Sequence, residues 1–449
     1  MPGCVFIVIM DPISKGAYSM SKNNYISVGI DVGSSFSFMS IVDPFGNLVL
    51  KPFKIFHNNL DSLNRALLEI KKAEELYSLK SRTFLESTGI YHFPLFCHLM
   101  ESGFEAFIIN PLITHSIKNY GIRKVKNDKL DSIAIAKLGL SDDLKTSVMP
   151  TQIVLELRAL VRKYYKLIDT RSACVNQLKG DLHVVFPQYL ELFSDVTGAT
   201  SLMILRQYGT PDKILRAHKK TMIEKIAKAS RKGTLKATER YEKLVEAAKA
   251  SKVFGCDIES IYFNISLTLD QIEALDKALN AILQRIQSFV DEHPDESFIQ
   301  QIHLLDSING VGFLSAVTIM CEIGDFSIFK SPKQLFAYFG MDPKVNESGK
   351  FKGTECPMSK RGSRIARRAI FAVALANIRT KRNGEALNPH LHAYYQKKVL
   401  SKPKKVALGA VMHKVCNIIF AVLRDGKSFE LRSPEEHRQN YKPQLTLIA

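Results

Sequence analysis

The stretch YISVGIDVGSSFSFMSIVDPFGNLVLKPFKI, residues 25–55, determines the fold at the start of the chain. Tyr25–Val32 has the apolar composition of a buried strand, and Ser37–Val42 alternates polar and apolar residues as a half-buried strand does. Pro44–Asn47 has the composition of a turn and leads into a third strand at Leu48–Ile55. The stretch therefore predicts three strands that follow one another as a meander.

Helix and strand patterns alternate downstream of this meander. The predicted elements are a helix at Leu60–Tyr77, a strand at Thr83–Glu86, a helix at Tyr91–Met100, a strand at Ala106–Ile109 and a helix at Lys129–Leu140. Strands first, followed by alternating helices and strands, predict an α/β domain with a mixed sheet. We assign this domain to residues 25–150, after a flexible leader at residues 1–24.

The rest of the chain has the composition of helices, with Gly and Pro sparse over residues 151–300. Apolar residues recur at spacings of three and four over Val161–Val185 and Ile265–Phe289, which is typical of a coiled-coil seam or of an ordinary bundle face. We predict an all-α remainder: a helical or coiled-coil linker domain over residues 151–300, a helical C-terminal domain over 301–430, and a tail over 431–449.

The charge of the chain indicates the class of its partner. Its 449 residues include 62 Lys and Arg against 44 Asp and Glu, which gives a formal net charge of +18. Such an excess favours a polyanionic partner, because neutralising phosphates releases their counterions. The excess is concentrated in Lys344–Arg368. A second cluster, Lys397–Lys405, either extends that surface or is a solvated loop, and we interpret the Lys- and Ala-rich stretch Ala217–Lys252 as a solvated helical insertion, with a nucleic-acid contact as the alternative.

Cysteine usage and hydropathy exclude several classes of protein. The seven cysteines are scattered and form no C-x-x-C pair, which argues against zinc knuckles and a disulfide framework. No apolar run approaches the roughly 18 residues that a membrane-spanning helix needs. Val5–Met10 is apolar but short and follows no basic residue, so it does not resemble a signal peptide. We therefore expect a cytoplasmic protein without a membrane partner.

Four carboxylates stand at marked positions in the first domain. Asp31 ends the first strand and Glu86 ends a later one, while Asp128 and Asp131 open a helix three residues apart, on one helical face. Carboxylates at the ends of adjacent strands can converge with such a pair at one edge of a sheet. Four hard oxygen donors suit one or two Mg²⁺ ions, with Mn²⁺ as an alternative. Each residue alone also has an ordinary explanation, as a strand-end acid or as a first-turn helix acid.

These acids lie in the motifs Gly-Ile-Asp-Val-Gly, Leu-Glu-Ser-Thr-Gly and Lys-Asn-Asp-Lys-Leu-Asp, which together resemble the DEDD transposases of bacterial insertion sequences. That family has an RNase H-like first domain similar to RuvC-type Holliday-junction resolvases, and it is related to the Piv DNA invertases. The resemblance covers nearly the whole chain and is strongest over residues 25–140 and 300–380. Residues 195–260 are longer than the family pattern, and we carry no function onto them. The resemblance implies that the four metal-binding, catalytic acids are Asp31, Glu86, Asp128 and Asp131.

A second group of motifs lies in the C-terminal part. Asn309-Gly310-Val311-Gly312 stands between two helical patterns and resembles a helix-hairpin-helix turn, whose amides can hold a DNA phosphate. A plain turn between helices explains the bare motif nearly as well, but the motifs that follow it favour the helix-hairpin-helix interpretation. Phe329–Leu335, Tyr338–Pro343 and Met358–Arg364 resemble the second-domain signature of the family. The residues that we expect to contact nucleic acid are Gly310, Gly312, Lys350, Lys352, Lys360, Arg361, Arg364, Arg367 and Arg368.

Ser348 lies in the polar segment Asn346–Lys350, where a serine is by default a turn residue. Members of the DEDD family carry a serine nucleophile in the corresponding Ser-Gly loop, and Ser348 is the matching position. The resemblance implies that its hydroxyl attacks a phosphate and forms a covalent 5′-phosphoserine link, while neighbouring Lys and Arg stabilise the developing charge. Ser359, which directly precedes Lys-Arg-Gly, is the second candidate.

The resemblance implies a transposase or site-specific recombinase whose composite active site joins an Mg²⁺-binding acidic domain to the attacking Ser348. It also implies DNA as substrate, a structured guide (bridge) RNA, a homodimer or homotetramer, and a place at the bacterial nucleoid. One alternative is a RuvC-like, structure-specific endonuclease that uses water and forms no covalent intermediate. Another is a nucleic-acid-binding protein without activity. An actin-like ATPase also begins with a strand, Asp and Gly, but the further phosphate-loop glycines are missing.

Overall fold

The computed structural model describes residues 24–86, 91–109, 128–141, 144, 150–344, 347–348, 351–352, 357–433 and 435–436. The chain divides into two units, Met1–Met149 and Pro150–Ala449. Buried apolar side chains form separate cores within each unit. The first unit is α/β and the second is helical, which confirms the predicted mixed α/β start and mostly helical remainder.

The N-terminal unit is built on a five-stranded mixed sheet with the strand order β3-β2-β1-β4-β5. The central strand β1 is antiparallel to β2, with Asp31 opposite Phe38, and parallel to β4, with Ile30 opposite Leu85. β2 and β3 are antiparallel, while β4 and β5 are parallel, so the predicted meander is present. The strands are β1 (Ile26–Val32), β2 (Phe36–Val42), β3 (Leu48–Phe56), β4 (Ser81–Glu86) and β5 (Glu105–Ile109).

Helices cover both faces of this sheet. On one face, alternate residues of β1 pack into an apolar core with α1 (Leu60–Tyr77) and α2 (His92–Glu101). The intervening residues of β1 face α3 (Asp128–Leu138), which packs against the other side of the sheet. This division follows from the two-residue period of a strand, which sends successive side chains to opposite faces. Asp31 therefore belongs to the face that α3 covers.

Small residues let α3 lie close to the sheet. A Cβ atom at Gly29 would be 2.2 Å from the amide nitrogen of Ala136 and 2.3 Å from the carbonyl oxygen of Ser132. The hydroxyl of Ser27 donates a hydrogen bond to the carbonyl oxygen of Ala136 at 2.6 Å, and the hydroxyls of Ser40 and Ser132 are 2.7 Å apart. The helix backbone thus contacts the strand backbone directly, without a layer of large side chains between them.

Two long antiparallel helices, α4 (Gln152–Val185) and α10 (Glu259–Asp291), run through the C-terminal unit and pack along each other. The helices between them are α5 (Tyr189–Leu192), α6 (Ala199–Gln207), α7 (Pro211–Arg216), α8 (Lys219–Ser230) and α9 (Gly233–Phe254). After α10 come α11 (Ser297–Asp306), α12 (Phe313–Ile323), α13 (Pro332–Tyr338), the short strands β6 (Glu347–Ser348) and β7 (Phe351–Lys352), α14 (Arg364–Asn377), α15 (Pro389–Val399) and α16 (Lys404–Asp425).

Each end of the α4–α10 pair belongs to a different core. The core formed with α11, α12, α14 and α16 includes Leu157 and Val161 of α4. The core formed with α5–α9 includes Leu178 and Leu182 of α4. The first core continues across residue 300, where we predict the boundary between a linker domain and a C-terminal domain; that boundary stays a prediction.

The last helix, α16, differs from our expectation about membrane segments. This helix of 22 residues is long and apolar enough to cross a membrane, by length and composition alone. Our expectation that no segment approaches the length of a membrane-spanning helix is therefore wrong for α16. More than half of its apolar window is buried within the protein, where Val411, Val415 and Ile419 pack in the core with α12 and α14. Burial on several sides explains the composition, because a central core helix needs apolar residues around most of its circumference.

Candidate active site

Three carboxylates converge at the edge of the N-terminal sheet. Asp31 is near the end of β1, and Asp128 and Asp131 are in the first turn of α3. One oxygen of each carboxylate lies within 4.8 Å of the others. Asp31 and Asp131 are half-buried and Asp128 is exposed, so the cluster is open to solvent on one side.

The fourth predicted acid, Glu86, lies on the neighbouring strand. It follows Leu85, which is opposite Ile30, so its backbone is level with Asp31 and strand alternation puts both on the same face. Glu86 is buried, and its carboxylate is outside the group of three converging acids. The structure thus brings together three of the four predicted acids and holds Glu86 one strand away.

The donor set fits a hard divalent cation. Three carboxylates so close together repel one another when ionised, and a divalent cation offsets that repulsion. Mg²⁺ prefers oxygen ligands and usually keeps several waters, so it needs only one or a few carboxylates on an accessible edge. Lys129, which lies between the two helical acids in sequence and which our sequence analysis missed, has its ammonium 5.9 Å from the centre of the Phe38 ring. The sequence did mark Lys129 as a neighbour of the acids, because it lies between Asp128 and Asp131 in the Lys-Asn-Asp-Lys-Leu-Asp motif.

Ser348 lies in the short strand β6, which pairs antiparallel with β7 so that Ser348 is opposite Phe351. Lys352 is the last residue of β7, whereas Lys350 lies outside the described residues. Glu347 and Ser348 are therefore paired as a strand, within the segment that we expected to be a polar loop.

The second serine candidate, Ser359, is hydrogen-bonded within the chain. Ser359 is buried, and its hydroxyl donates a hydrogen bond to the Asp342 carboxylate at 2.6 Å. The Ser359 amide also donates to the carbonyl oxygen of Asp342 at 2.8 Å, next to the bridge that joins Pro343 and Met358. Because Ser359 is buried and engaged with Asp342, Ser348 stays our first candidate for the nucleophile.

Two of the family motifs pack backbone to backbone. A Cβ atom at Gly362 would be 2.0 Å from the carbonyl oxygen of Tyr338, and one at Gly340 would be 2.4 Å from the Gly362 amide nitrogen. Arg367 secures this crossing by donating to the carbonyl oxygens of Phe339 at 2.9 Å and Gly362 at 2.7 Å. Desolvation lowers the pKa of Arg367. Its guanidinium is therefore engaged within the chain.

The other predicted basic contacts are more accessible. Lys360 and Arg361 are exposed at the turn before α14. Arg364 and Arg368, one turn apart on α14, both bind the carboxylate of Asp169 on α4, at 2.5 and 2.8 Å. These two arginines lie on a surface that an anion can reach, but Asp169 partly neutralises them.

A cavity of about 440 Å³ opens beside this arginine pair. One wall is the buried carboxylate of Glu322, which accepts two hydrogen bonds from Arg162, at 3.0 and 3.2 Å. Burial lowers the pKa of Arg162, but its hydrogen bond with Glu322 and the charge of that carboxylate outweigh burial and raise it. Lys166 also lines the cavity, so its walls carry more positive than negative charge. Sequence reasoning missed this network because its partners are distant in the chain.

The two glycines of the predicted helix-hairpin-helix turn have different surroundings. Gly310 has a φ of +80°, and a Cβ atom there would be 2.4 Å from the side-chain nitrogen Nδ2 of Asn377. Gly312 precedes α12, and no heavy atom lies within 4 Å of a Cβ built on it. Packing within the chain alone explains Gly310, whereas the surroundings of Gly312 are open.

Comparison with known proteins gives two family matches. A transposase model named for the DEDD transposases of IS110 matches residues 28–187, which contain the acid cluster. A second model, described as the transposase IS116/IS110/IS902 family, matches residues 302–396, which contain Ser348 and the crossing motifs.

Individual relatives agree with these matches. An IS110 insertion-element protein of Streptomyces coelicolor is 23% identical over 320 residues, covering 69% of this chain and 74% of that protein. The transposase for insertion sequence element IS1111A of Coxiella burnetii is 22% identical over 325 residues, 72% of each chain. The pilin gene-inverting protein of Moraxella lacunata is 28% identical over 176 residues, which are 39% of this chain and 52% of that protein.

An α/β unit with a carboxylate cluster, followed by a helical unit with these motifs, defines a transposase, an enzyme that cleaves and transfers DNA strands. More specifically, the chain belongs to the IS110 family of transposases, and its resemblance to that family is confirmed. Residues 188–301 lie between the two family matches.

Proposed function

We propose that this transposase cleaves and rejoins DNA in a reaction that depends on a divalent metal at the acid cluster. The observation that carries the proposal is the convergence of Asp31, Asp128 and Asp131 within 4.8 Å. The strand order β3-β2-β1-β4-β5, with the acids at the end of the central strand, supports an RNase H-like, RuvC-type assignment of the N-terminal unit.

The residues that would hold the metal are Asp31, Asp128 and Asp131, with Glu86 as the proposed fourth ligand. Mg²⁺ is the proposed ion and Mn²⁺ the alternative, because both accept carboxylate oxygens. When bound, such an ion stabilises negative charge on the attacking and leaving oxygens of a phosphodiester exchange. The accessible side of the cluster, at Asp128, leaves room for the DNA strand.

Ser348 is the proposed nucleophile. A bond forms between its Oγ and the phosphorus, and the bond from the phosphorus to the 3′ oxygen of the DNA breaks. The hydroxyl proton passes to a base, and the leaving oxygen takes up a proton to become a free 3′-hydroxyl. One phosphodiester link replaces another, so the 3′-hydroxyl of a different strand can reverse the step and join new DNA.

Basic residues of the C-terminal unit would bind the phosphates. Lys360, Arg361, Arg364 and Arg368 are the best supported of these, because they lie on an accessible surface. Lys350 and Lys352 flank the proposed nucleophile in sequence, whereas Gly310, Gly312 and Arg367 are proposed as weaker contacts. The net charge of +18 supports a large polyanionic partner.

The wider setting of the reaction is also proposed. Strand exchange needs several DNA ends held together, so a homodimer or homotetramer is expected. The family resemblance favours a structured bridge RNA that selects donor and target DNA. We propose that the enzyme works in the bacterial cytoplasm, at the nucleoid.

A second candidate is a structure-specific endonuclease that uses the same acids and attacks with water. The acid cluster favours it as much as it favours the transposase reaction. The two differ at Ser348, because a water-using nuclease keeps its cleavage activity when Ser348 is replaced by Ala.

The metal-dependent reaction is tested with flanking DNA from the insertion element, any co-transcribed RNA, and Mg²⁺. Asp31→Asn and Asp131→Asn should each lower strand cleavage by at least about 100-fold, because each removes an ionised ligand. Asp61→Asn, an exposed first-turn acid of α1 in the same unit, should cleave like the wild type. Wild-type cleavage by Asp31→Asn, or equal cleavage in EDTA, would contradict the proposal.

A further inference from the structure

Residues 188–301 lie outside both family matches, and helices α5–α9 among them form a folded body with the adjoining parts of α4 and α10. Helices α5–α9 pack on α4 and α10 around a core of their own. Tyr189 is fully buried in it, and its hydroxyl is 2.9 Å from both the hydroxyl and the carbonyl oxygen of Ser201. Burial raises the pKa of Tyr189, so the phenol stays protonated. Such a core shows that this body is more than a solvated spacer.

An open cavity of about 450 Å³ lies between the start of α6 and one side of α9. Four cationic side chains and two acidic ones, Asp195 and Glu239, line this cavity. Asp195 accepts hydrogen bonds from the Thr197 amide at 2.9 Å and hydroxyl at 2.8 Å, which lower its pKa and keep it ionised. The cavity is therefore net positive even with both acids charged; its cations are Lys232, Lys236, Arg240 and Lys243.

The cations of this cavity differ from others in the same body. Arg171 is paired with Asp276, and Lys252 with Asp212. Lys232, Lys236 and Lys243 are exposed, and within the described residues none of them has an ion-pair partner. They can therefore accept an anionic ligand without breaking an internal salt bridge.

Arg240 is held differently. Its guanidinium lies 4.9 Å from the centre of the Phe193 ring, and both side chains line the cavity. Stacking on a ring keeps a guanidinium's hydrogen-bond donors available at its edges. Arg240 is thus oriented without being neutralised.

The cations form a row along α9 rather than a ring around one point. At about 1.5 Å per helical residue, the axial distance from Lys236 to Lys243 is about 10 Å. A single phosphate is much smaller than this row, whereas the backbone of a DNA strand presents a phosphate about every 3.4 Å along the duplex axis. The row therefore fits a series of phosphates.

We propose that this cavity and the adjoining face of α9 bind the backbone of duplex DNA, as a contact separate from the regions that the family models match. The inference rests on the proposed function, since it takes the DNA substrate as the ligand. It reverses our interpretation of Ala217–Lys252 as a solvated insertion in favour of the nucleic-acid alternative. Binding to phosphates does not read the sequence, so the contact would add affinity without base specificity.

The test compares two triple variants with the same change in charge. One combines Lys232→Gln, Lys236→Gln and Lys243→Gln; the control combines Lys220→Gln, Lys228→Gln and Lys249→Gln, which are exposed on α8 and α9 but do not line the cavity. Affinity for a duplex of the element end is measured by fluorescence anisotropy over a range of salt concentrations, in EDTA so that no cleavage occurs. Circular dichroism checks that both variants are folded.

The cavity variant should lower the slope of log K against log salt by about 2.7, because each lost phosphate contact removes about 0.9. The control should lower it by less than about 1. Equal slopes for the two variants would overturn the proposal. The same titration is made with a structured RNA of matched length; if the cavity variant loses affinity for that RNA and not for the duplex DNA, RNA is the ligand and the proposal is also overturned. If the two triple variants bind DNA alike while the wild type still cleaves DNA, this contact is refuted. The proposed function is then unaffected, because it does not depend on the cavity.

Discussion

At the scale of single residues, Gly29 controls the position of the acid cluster. The backbone of α3 occupies the space where a Cβ atom would lie, so even Ala at position 29 must push the helix away from β1. Since Asp128 and Asp131 are in the first turn of that helix, a shift of α3 also moves them relative to Asp31.

Gly29→Ala should therefore lower the free energy of unfolding by about 1–3 kcal/mol, the usual cost of overpacking. It should also reduce Mg²⁺-dependent cleavage. Gly180→Ala is a control for which we expect the opposite change in the free energy of unfolding. Gly180 is inside α4, and no heavy atom lies within 4 Å of a Cβ built on it. Because Ala favours a helix more than Gly does, the substitution should raise the free energy of unfolding by about 1 kcal/mol. Urea unfolding measures both changes, and an undiminished stability for Gly29→Ala would contradict this account of the packing.

Asp169 is a second residue with a predictable effect. It binds Arg364 and Arg368 and so competes with DNA phosphates for them. Asp169→Asn should tighten DNA binding by up to about fivefold, because an exposed ion-pair interaction of this kind contributes only about 0.2–1 kcal/mol, and DNA must overcome it to bind the arginines.

The measurement for Asp169→Asn is a DNA-binding titration at moderate salt. Asp291→Asn, at the end of α10, serves as a control with the same loss of charge. Equal gains for both variants would mean that net charge alone is responsible, and weaker binding by Asp169→Asn would show that Asp169 orients the arginines rather than masking them.

At the scale of elements, several helices and strands were predictable from local signals. The helix Leu60–Tyr77 has the predicted bounds because Asn59 caps it, accepting a hydrogen bond from the Ser62 amide, and Ser78 ends it with a left-handed backbone. The helix Phe313–Ile323 starts directly after Gly312, at the turn that the sequence places between two helical patterns. Local caps and apolar spacing are properties of neighbouring residues, so the sequence is sufficient to show them.

Contacts between distant elements were not predictable in this way. Arg162 and Glu322 are 160 positions apart, and Arg364 is 195 positions from Asp169. Nothing local marks one as the partner of the other, because the pairing depends on how α4 packs against α12 and α14. The convergence of three acids could be inferred, because strand ends and helix spacing are local features of the sequence. The separation of Glu86 from these acids could not be inferred, because it depends on how the elements pack.

The helix α16 gives a prediction for pH dependence. Burial lowers the pKa of His413, and the nearby charges of Lys414 and Lys333 lower it further; its ring also packs edge-on against Phe336. The folded state therefore favours the neutral imidazole, and the unfolded chain takes up a proton first as pH falls below the ordinary value of 6.5.

The stability of the C-terminal unit should thus be complete above about pH 7 and decline as pH falls through 6.5 toward 5. His413→Gln should reduce this decline, whereas His303→Gln, an exposed position on α11, is the matched control. Melting temperatures at pH 7.5 and 5.5 check the prediction. A pH dependence that is the same in His413→Gln and the wild type would show that other groups cause it.

At the scale of the whole molecule, the chain combines two units with different chemistry. The N-terminal unit supplies carboxylates, and the C-terminal unit supplies the proposed serine and a net excess of cations. The acid cluster and the excess of cations were predictable from composition and motifs, because charge and residue type are read directly from the sequence, whereas the serine nucleophile stays a proposal. The role that we propose for helices α5–α9 was not predictable from the family pattern, because it depends on a cavity that only the packed helices create.

The central claim, a covalent serine step supported by the acid cluster, is tested most directly by trapping the intermediate. The protein is incubated with labelled DNA of the element end, any co-transcribed RNA and Mg²⁺, then denatured and examined for DNA bound covalently to protein. The account predicts an adduct in the wild type and in Ser359→Ala, and none in Ser348→Ala or Asp31→Asn. An adduct that persists in Ser348→Ala, or wild-type cleavage without any adduct, would contradict it.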